Sequence, residues 1–351
     1  MLSNTEIAEL LARKAERESG ILSRAFRRAA RSAFLWPEEV AEIVAQNRSL
    51  TELRAIGPFM ERQIRRWIDK PPSLNHVIPA IRQDFISLAE ARRLLTRKQS
   101  WARNLRGDLQ MHTHWSDGSG TIAEMAEAAS ERSYKYIAMT DHSRSLKIAG
   151  GINERDLEEE GAEVAKLNTS LRKPGRNLVV LSSLEMNLNK RGEGDMSPES
   201  LSAVDLVLGS FHSSLRIVED QTDRYLAALR NPHIQILGHP RGRIYNFRIG
   251  LRADWPRVFA EAAQLDKALE VDCYPDRQDL NLALLKIARK HGTRISLGTD
   301  AHHPWQLEFI ELGLAAILRA KVSPDRIVNF MPLEELKSWI QAVRTRSAAR
   351  K

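Results

Sequence analysis

The sequence predicts an α/β protein in which a barrel of parallel βα units follows a small all-α domain. Three features carry that expectation. The first hundred residues hold repeated helical patterning with few β-branched runs, whereas from residue 107 short apolar runs alternate with longer amphipathic stretches, and most of those runs end in a His, Asp or Glu. At 351 residues the chain has room for one large and one smaller domain, since domains run roughly 100 to 200 residues.

The helical part comes first. Ile7, Leu10, Leu11 and Ala15 recur at helical spacing, as do Phe26, Ala29, Ala30 and Ala33. Residues 49–64 read as a short helix, a tight turn at Ile56-Gly57-Pro58 and a second helix. The segment resembles a helix-hairpin-helix, whose turn offers backbone N–H groups to a DNA phosphate, with Ala55 standing for the first glycine of the usual turn. That likeness assigns DNA contact to Arg54, Gly57, Arg62, Arg65 and Arg66. Residues 1–72 are expected to form this domain. Residues 73–106, with the basic run Arg92, Arg93, Arg97 and Lys98, are expected to form a helical connector.

Charge divides the chain at the same place. Residues 1–106 carry 20 Lys and Arg against 12 Asp and Glu, a net of +8 equal to that of the whole chain, so residues 107–351 balance at 33 of each. A basic module beside a neutral one suggests a polyanion-binding accessory, a solvated basic helical face being the plainer reading. The single cysteine, Cys273, excludes an intrachain disulfide framework and any Cys-rich zinc module. The first twenty residues lack an apolar signal core, and no run approaches the roughly 18 apolar residues of a membrane span. A soluble, cytoplasmic protein is expected.

The barrel is expected over residues 107–345, on seven apolar runs: 108–111, 136–139, 178–184, 204–208, 234–237, 268–271 and 294–297. Six are followed within a few residues by a metal-ligand side chain: His112, His142, Glu185, His212, His239, and Asp300 with His302. In a barrel of parallel strands all the C-terminal ends open on one face, so residues far apart in sequence converge there. The sixth run ends in Asp272-Cys273, a weaker candidate.

The stretches GDLQMHTHWSDG, YIAMTDHSRSLKIA, SFHSS, NPHIQILGHPRGR and LGTDAHHPWQL resemble the PHP (polymerase and histidinol phosphatase) phosphoesterases, above all the PHP domain of bacterial family X DNA polymerases. The resemblance spans essentially residues 107–340. It implies a distorted seven-stranded, TIM-like βα barrel with two or three divalent metal ions, and it places the ligands on His112, Asp117, His142, Glu185, His212, His239, Asp300 and His302. Gln110 replaces the first His of the family's His-x-His pair, which weakens one metal position, although the polymerase-associated branch is similar there. His114 lies outside the pattern. Asp141 is expected to orient ligand histidines from behind.

Imidazoles mixed with carboxylates suit zinc, manganese or iron better than magnesium. Ions held roughly 3.5 to 4 Å apart activate water for attack at phosphorus and stabilise the leaving oxygen. Arg144, Lys147, Arg241, Arg243 and Arg277 neighbour the ligand motifs and are the expected holders of substrate phosphate. Two readings follow. One is a DNA-processing phosphoesterase (3′-5′ exonuclease, AP-endonuclease-like enzyme or 3′-phosphatase) that grips DNA through the basic helices. The other is a small-molecule phosphomonoesterase of the histidinol-phosphatase type, which leaves the basic helices unexplained. A non-catalytic DNA-binding barrel would require missing ligands, and eight of nine family positions are filled. Only about 40 residues separate the hairpin from the barrel, too few for a polymerase palm, so polymerase activity is not expected.

Overall fold

The structure, a computed structural model, describes residues 1–73, 77–172 and 178–348; part of the expected connector, residues 74–76, lies outside the described residues. The N-terminal region holds α1 (Asn4–Arg17), α2 (Gly20–Ser32), α3 (Val40–Ala45), α4 (Pro58–Asp69), α5 (Leu88–Thr96) and α6 (Gln99–Ala102). Ser3 and Glu6 form a reciprocal capping box that starts α1, and Pro58 starts α4 with its fixed φ. The apolar stripes read from the sequence meet in one core, where Ile7, Leu11, Phe26, Phe34 and Trp36 are fully enclosed. Each such side chain contributes about 1.5–3 kcal/mol relative to exposure.

The region is helical, but the first helix expected for a helix-hairpin-helix does not form. In its place is a single 3-10 turn, Leu50–Glu52, because Leu53 returns to an extended conformation three residues later. Ala55 adopts φ 63°, the left-handed conformation that glycine takes without cost, and Gly57 then caps α4.

Beyond residue 106 strands and helices alternate: β1 (Gly107–Asp108), α7 (Ile122–Glu131), β2 (Tyr136–Met139), α8 (Glu154–Leu171), β3 (Val179–Asn187), α9 (Pro198–Ala203), β4 (Leu206–Ser210), α10 (Thr222–Arg230), β5 (Ile236–Leu237), α11 (Trp255–Leu265), β6 (Ala268–Asp272), α12 (Leu282–His291), β7 (Arg294–Gly298), α13 (Ile310–Ala320) and α14 (Leu333–Ala348). The strands are parallel and paired in sequence order from β1 to β7. All seven expected runs fall on strands. β1 is shorter than its run, and β3 continues through Glu185 to Asn187.

The sheet nearly closes on itself. Leu109 N donates to Leu297 O, Asp300 N to Gln110 O and His112 N to Ala301 O, at 3.3, 3.1 and 2.8 Å. Asn329 staples the same seam from below: its Oδ1 accepts from Leu297 N, and its Nδ2 donates to Gly107 O and Leu297 O.

Strand pleating then decides what faces inward, because alternate side chains point to opposite faces. Along β6, Leu269 and Val271 pack outward on the helices while Glu270 and Asp272 are buried in the barrel. β3 likewise turns Leu184 and Met186 outward, leaving Glu185 and Asn187 on the inner face. The N-terminal helices lie against this barrel. Tyr245, from the loop after β5, inserts into their core beside Phe34 and Phe85, and Arg82 pairs with Glu9 and Glu16 while also donating to Asn246.

Candidate metal centre

Strand ends bring the sequence-selected ligands together. Glu185 is fully buried at the middle of the cluster, and four imidazoles surround its carboxylate: His239 Nε2 at 2.6 Å, His142 Nδ1 at 3.0 Å, His212 Nε2 at 3.3 Å and His112 Nε2 at 3.5 Å. His112 Nε2 also lies 2.9 Å from Asp300, and Asp117 faces His302 at 3.2 Å and His142 at 3.6 Å. His112 stacks on His142 with centroids 4.3 Å apart.

Backbone detail supports this convergence. His239 and Asp300 both carry positive φ, 22° and 52°, a conformation non-glycine residues adopt only when their surroundings hold them. Gly298 is required: a Cβ there would meet Glu270 Oε1 at 2.2 Å and Gln110 Cβ at 2.5 Å.

The residues fit divalent metal on three counts. Ligand atoms converge within 4.8 Å of one another in three overlapping groups: His112, Asp117, His142 and His302; His142, Glu185 and His212; and His112, Glu185 and Asp300. His112 Nδ1 is buried without a hydrogen-bond partner, a cost that a purely structural histidine would not carry. The hydrogen bonds also set ring tautomers. His302 Nδ1 lies 2.7 Å from Asp300 O and His212 Nδ1 3.1 Å from Asn187 Oδ1, so each Nδ1 is the donor and each Nε2 lone pair turns toward a carboxylate.

Electrostatics agree. Burial, with His142 and His302 beside it, holds the His112 imidazole well below its ordinary range, so it is neutral and a competent ligand. Burial also lowers His212. Burial would raise Glu185, but the imidazoles of His142, His239 and His212 outweigh it and keep the carboxylate far below its usual range.

The structure corrects several assignments around the cluster. The Asp141 carboxylate has no hydrogen bond to a candidate ligand histidine among the described residues; it accepts from Thr113 N at 2.9 Å, Thr113 Oγ1 at 2.7 Å and Ser116 N at 3.1 Å, and also from Ser116 Oγ. It therefore fixes the loop between His112 and Asp117. Arg243 does not reach the site: 4 % exposed, it stacks on Phe85 and donates to the carbonyls of Arg277, Gln83 and Asp84, so burial in a carbonyl nest replaces phosphate binding. Arg277 points inward onto Asp300 and Asp272. Arg241 donates to Ile249 O and Arg144 pairs with Glu154, while Lys147 is exposed and has no ion pair among the described residues.

On the helical side Arg62 and Arg66 are exposed, whereas Arg65 is committed to Glu61 and to Arg48 O. Arg54 lies over the Trp305 indole, 5.0 Å from its centroid, and Gly57 is exposed at the start of α4. His114 is exposed beside Trp115.

Sequence reasoning did not single out Asn187. Two positions past Glu185 on the same strand, Asn187 had a period-2 signal available. Glu270 accepts from His239 N at 2.8 Å and, with the Gln110 amide nitrogen turned to it, from Gln110 at 2.6 and 2.8 Å. Gln110 is thus a donor to Glu270 where the family pattern has an imidazole ligand.

Comparison with known proteins places this geometry. The PHP domain family matches residues 108–274. The DNA polymerase/3′-5′ exonuclease PolX of Bacillus subtilis is 32 % identical over 238 residues, 68 % of this chain and 41 % of that protein, so the chain spans less than half of that relative. A probable phosphatase of Thermoanaerobacter is 26 % identical over 235 residues, covering 63 % of this chain and 89 % of its own length. A histidinol phosphate phosphatase from Lactococcus lactis, solved with zinc, L-histidinol and phosphate, has a TM-score of 0.44 at 17 % identity over 62 % of this chain and 94 % of its own, too slight a likeness to bear on function. With its strand-end candidate ligands gathered on one buried glutamate and residues 108–274 matched, the chain carries a PHP domain.

Proposed function

We propose that this protein is a metal-dependent phosphoesterase acting on DNA, as a 3′-5′ exonuclease, an AP-endonuclease-like enzyme or a 3′-phosphatase. The observation that carries the reading is that the basic N-terminal region meets the barrel next to the candidate metal centre: Arg54, in the turn before α4, sits on Trp305, three residues after His302. When bound, zinc, manganese or iron supplies an activated water and charge stabilisation at phosphorus. His112, His142, His212, His239 and His302 with Asp117, Glu185 and Asp300 would hold two or three such ions. The chain's own part is then to orient and to exclude water. Asn187 and the Asp300 carbonyl fix two imidazoles, and Glu185 stays anionic among four of them. Lys147, exposed after His142 and without an ion pair among the described residues, is a cation available for a substrate phosphate.

A phosphomonoesterase acting on a small molecule is the second reading, favoured by a relative named as a probable phosphatase that aligns over 89 % of its length. No helix among the described residues is long and apolar enough to cross a membrane, and we assign the protein to the cytoplasm on its composition. The test is turnover of a 3′-labelled duplex and, in parallel, of histidinol phosphate by manganese- or zinc-loaded protein, with His212→Ala and Asp300→Ala as controls. Metal-dependent DNA cleavage lost in the controls supports the first reading; phosphate release from histidinol phosphate alone replaces it with the second.

A further inference from the structure

Between the N-terminal helices and the barrel mouth lies a cleft of about 520 Å³, within the roughly 300–1,000 Å³ of small-ligand sites. It is lined from the helical side by Arg28, Arg31 and Arg54 and from the barrel by Tyr274, Trp305 and Gln306. We propose that this cleft seats the nucleotide next to the scissile phosphate at a single-stranded DNA end; the inference rests on the DNA reading of the metal centre.

Four observations on the molecule point to that ligand. The cleft is continuous with the site, because Gln306 Oε1 accepts from the backbone N–H of the ligand His302 at 2.6 Å while its side chain lines the cleft. Across it, Tyr274 lies two residues beyond the buried Asp272 and donates its backbone N–H to that carboxylate at 2.7 Å. Its aromatic wall is rigid. Trp305 and Tyr274 both pack edge-on to the buried Phe309, each with centroids 5.2 Å apart, so the rings are held without help from a ligand.

Charge completes the case. Three guanidiniums face one carboxylate, Asp276, which pairs with Arg31 at 3.6 Å; Arg28 and Arg54 have no ion pair among the described residues. Fixed aromatic rings beside guanidiniums that carry no ion pair are the chemistry of single-strand binding, in which a base stacks and the backbone phosphate meets a cation. Arg54 lies over Trp305 and Arg277 over Tyr274, so a base entering over Trp305 takes the place of the Arg54 guanidinium and frees it for the phosphate. A paired base offers no free face, so an unpaired end is the form that fits. The arrangement also explains why the basic excess belongs to the helices: three of its arginines stand at the barrel mouth.

The test compares two substrates on the full, manganese-loaded chain: a fluorescent single-stranded oligonucleotide and p-nitrophenyl phosphate, which is too small to reach the cleft. Trp305→Ala should raise KM for the oligonucleotide about tenfold, with p-nitrophenyl phosphate constants changed less than about twofold, and Trp305→Phe should restore most of the loss. Arg28→Ala should flatten the salt dependence of oligonucleotide binding by roughly 0.7 in log–log slope, the value of one single-strand phosphate contact. An unchanged oligonucleotide KM in Trp305→Ala, or parallel losses on both substrates that phenylalanine does not rescue, would overturn the cleft as a nucleotide seat while leaving the DNA reading in place. Wild-type protein that hydrolyses p-nitrophenyl phosphate but no oligonucleotide would overturn both.

Discussion

Oε1 of Glu185 lies 2.6 Å from Nε2 of His239, although β4 separates the strands that deliver them. One carboxylate thus links ligands arriving from both sides of the barrel mouth. Glu185→Gln preserves the shape of this centre and removes its charge, leaving the imidazoles around a neutral amide. Metal content measured by elemental analysis should fall, and kcat/KM should drop on the order of a hundredfold or more. Full metal loading in Glu185→Gln would show that the carboxylate is structural.

Asn187 accepts from His212 Nδ1 at 3.1 Å and is itself held by Ser143 and Ser145. Asn187→Ala should weaken metal affinity by about 10- to 100-fold without unfolding the barrel, because ring orientation rather than a ligand is lost. Metal titration against a competing chelator measures this directly.

Arg62 and Arg66 are exposed on α4, while Arg65 is occupied by Glu61 and Arg48. Replacing Arg62 and Arg66 with Ala should reduce the log–log salt slope of duplex binding by roughly 1.8, about 0.9 per phosphate contact, with small-ester hydrolysis unaffected. Arg65→Ala should act on stability instead. Equal slopes for wild type and the double variant would remove α4 from the DNA interface.

Lys267, 1 % exposed at the foot of β6, donates to the Asn231 carbonyl and has no other partner among the described residues, and burial lowers its ammonium to about 7. Between that value and the ordinary 10.5 the unfolded chain holds a proton that the fold releases, so stability rises with pH across the window. Below about 7 the fold bears the full cost of the buried charge. Lys267→Met should therefore stabilise the protein by about 1–3 kcal/mol at pH 7, the gain shrinking toward pH 10.5. Urea melts of both proteins at several pH values test the sign.

Asn329 satisfies Leu297 N, Leu297 O and Gly107 O with one side chain at the seam between β1 and β7. Asn329→Ala takes a partner from each of these buried groups, leaving Leu297 O only its bond from Leu109 N, and should cost roughly 2–4 kcal/mol in chemical denaturation. Asn329→Asp should recover little, since it supplies no donor for the two carbonyls.

The strand order and the convergence of the strand-end His, Asp and Glu residues were legible because both are periodic: an apolar run predicts a strand, and the residue after it predicts what stands at the barrel mouth. Glu185 shows the limit of that logic. It was read as following its strand, whereas β3 runs through it to Asn187, because pairing with β4 continues to Ser210. Asp141 and Arg243 carry typical site chemistry, yet one ties down a loop and the other fills a carbonyl nest. Both roles depend on partners remote in the fold, which spacing does not encode. The first arm of the hairpin was overread for a related reason, since Leu53 leaves the helix to enter the core.

Tyr245 gives the chain a property that neither half has alone. Its ring stands between Phe34 and Phe85 in the helical core and its hydroxyl reaches Ala8 O at 3.3 Å, while its backbone belongs to the loop that begins beside His239. A chain cut after residue 72 would strip this ring of Phe34 and Ala8, leaving Phe85 alone against it, and loosen the loop flanking the candidate ligand His239. Grafting the barrel onto another protein would therefore demand a replacement socket for one tyrosine, and a lesion in that socket would surface as an apparent catalytic defect far from any catalytic atom.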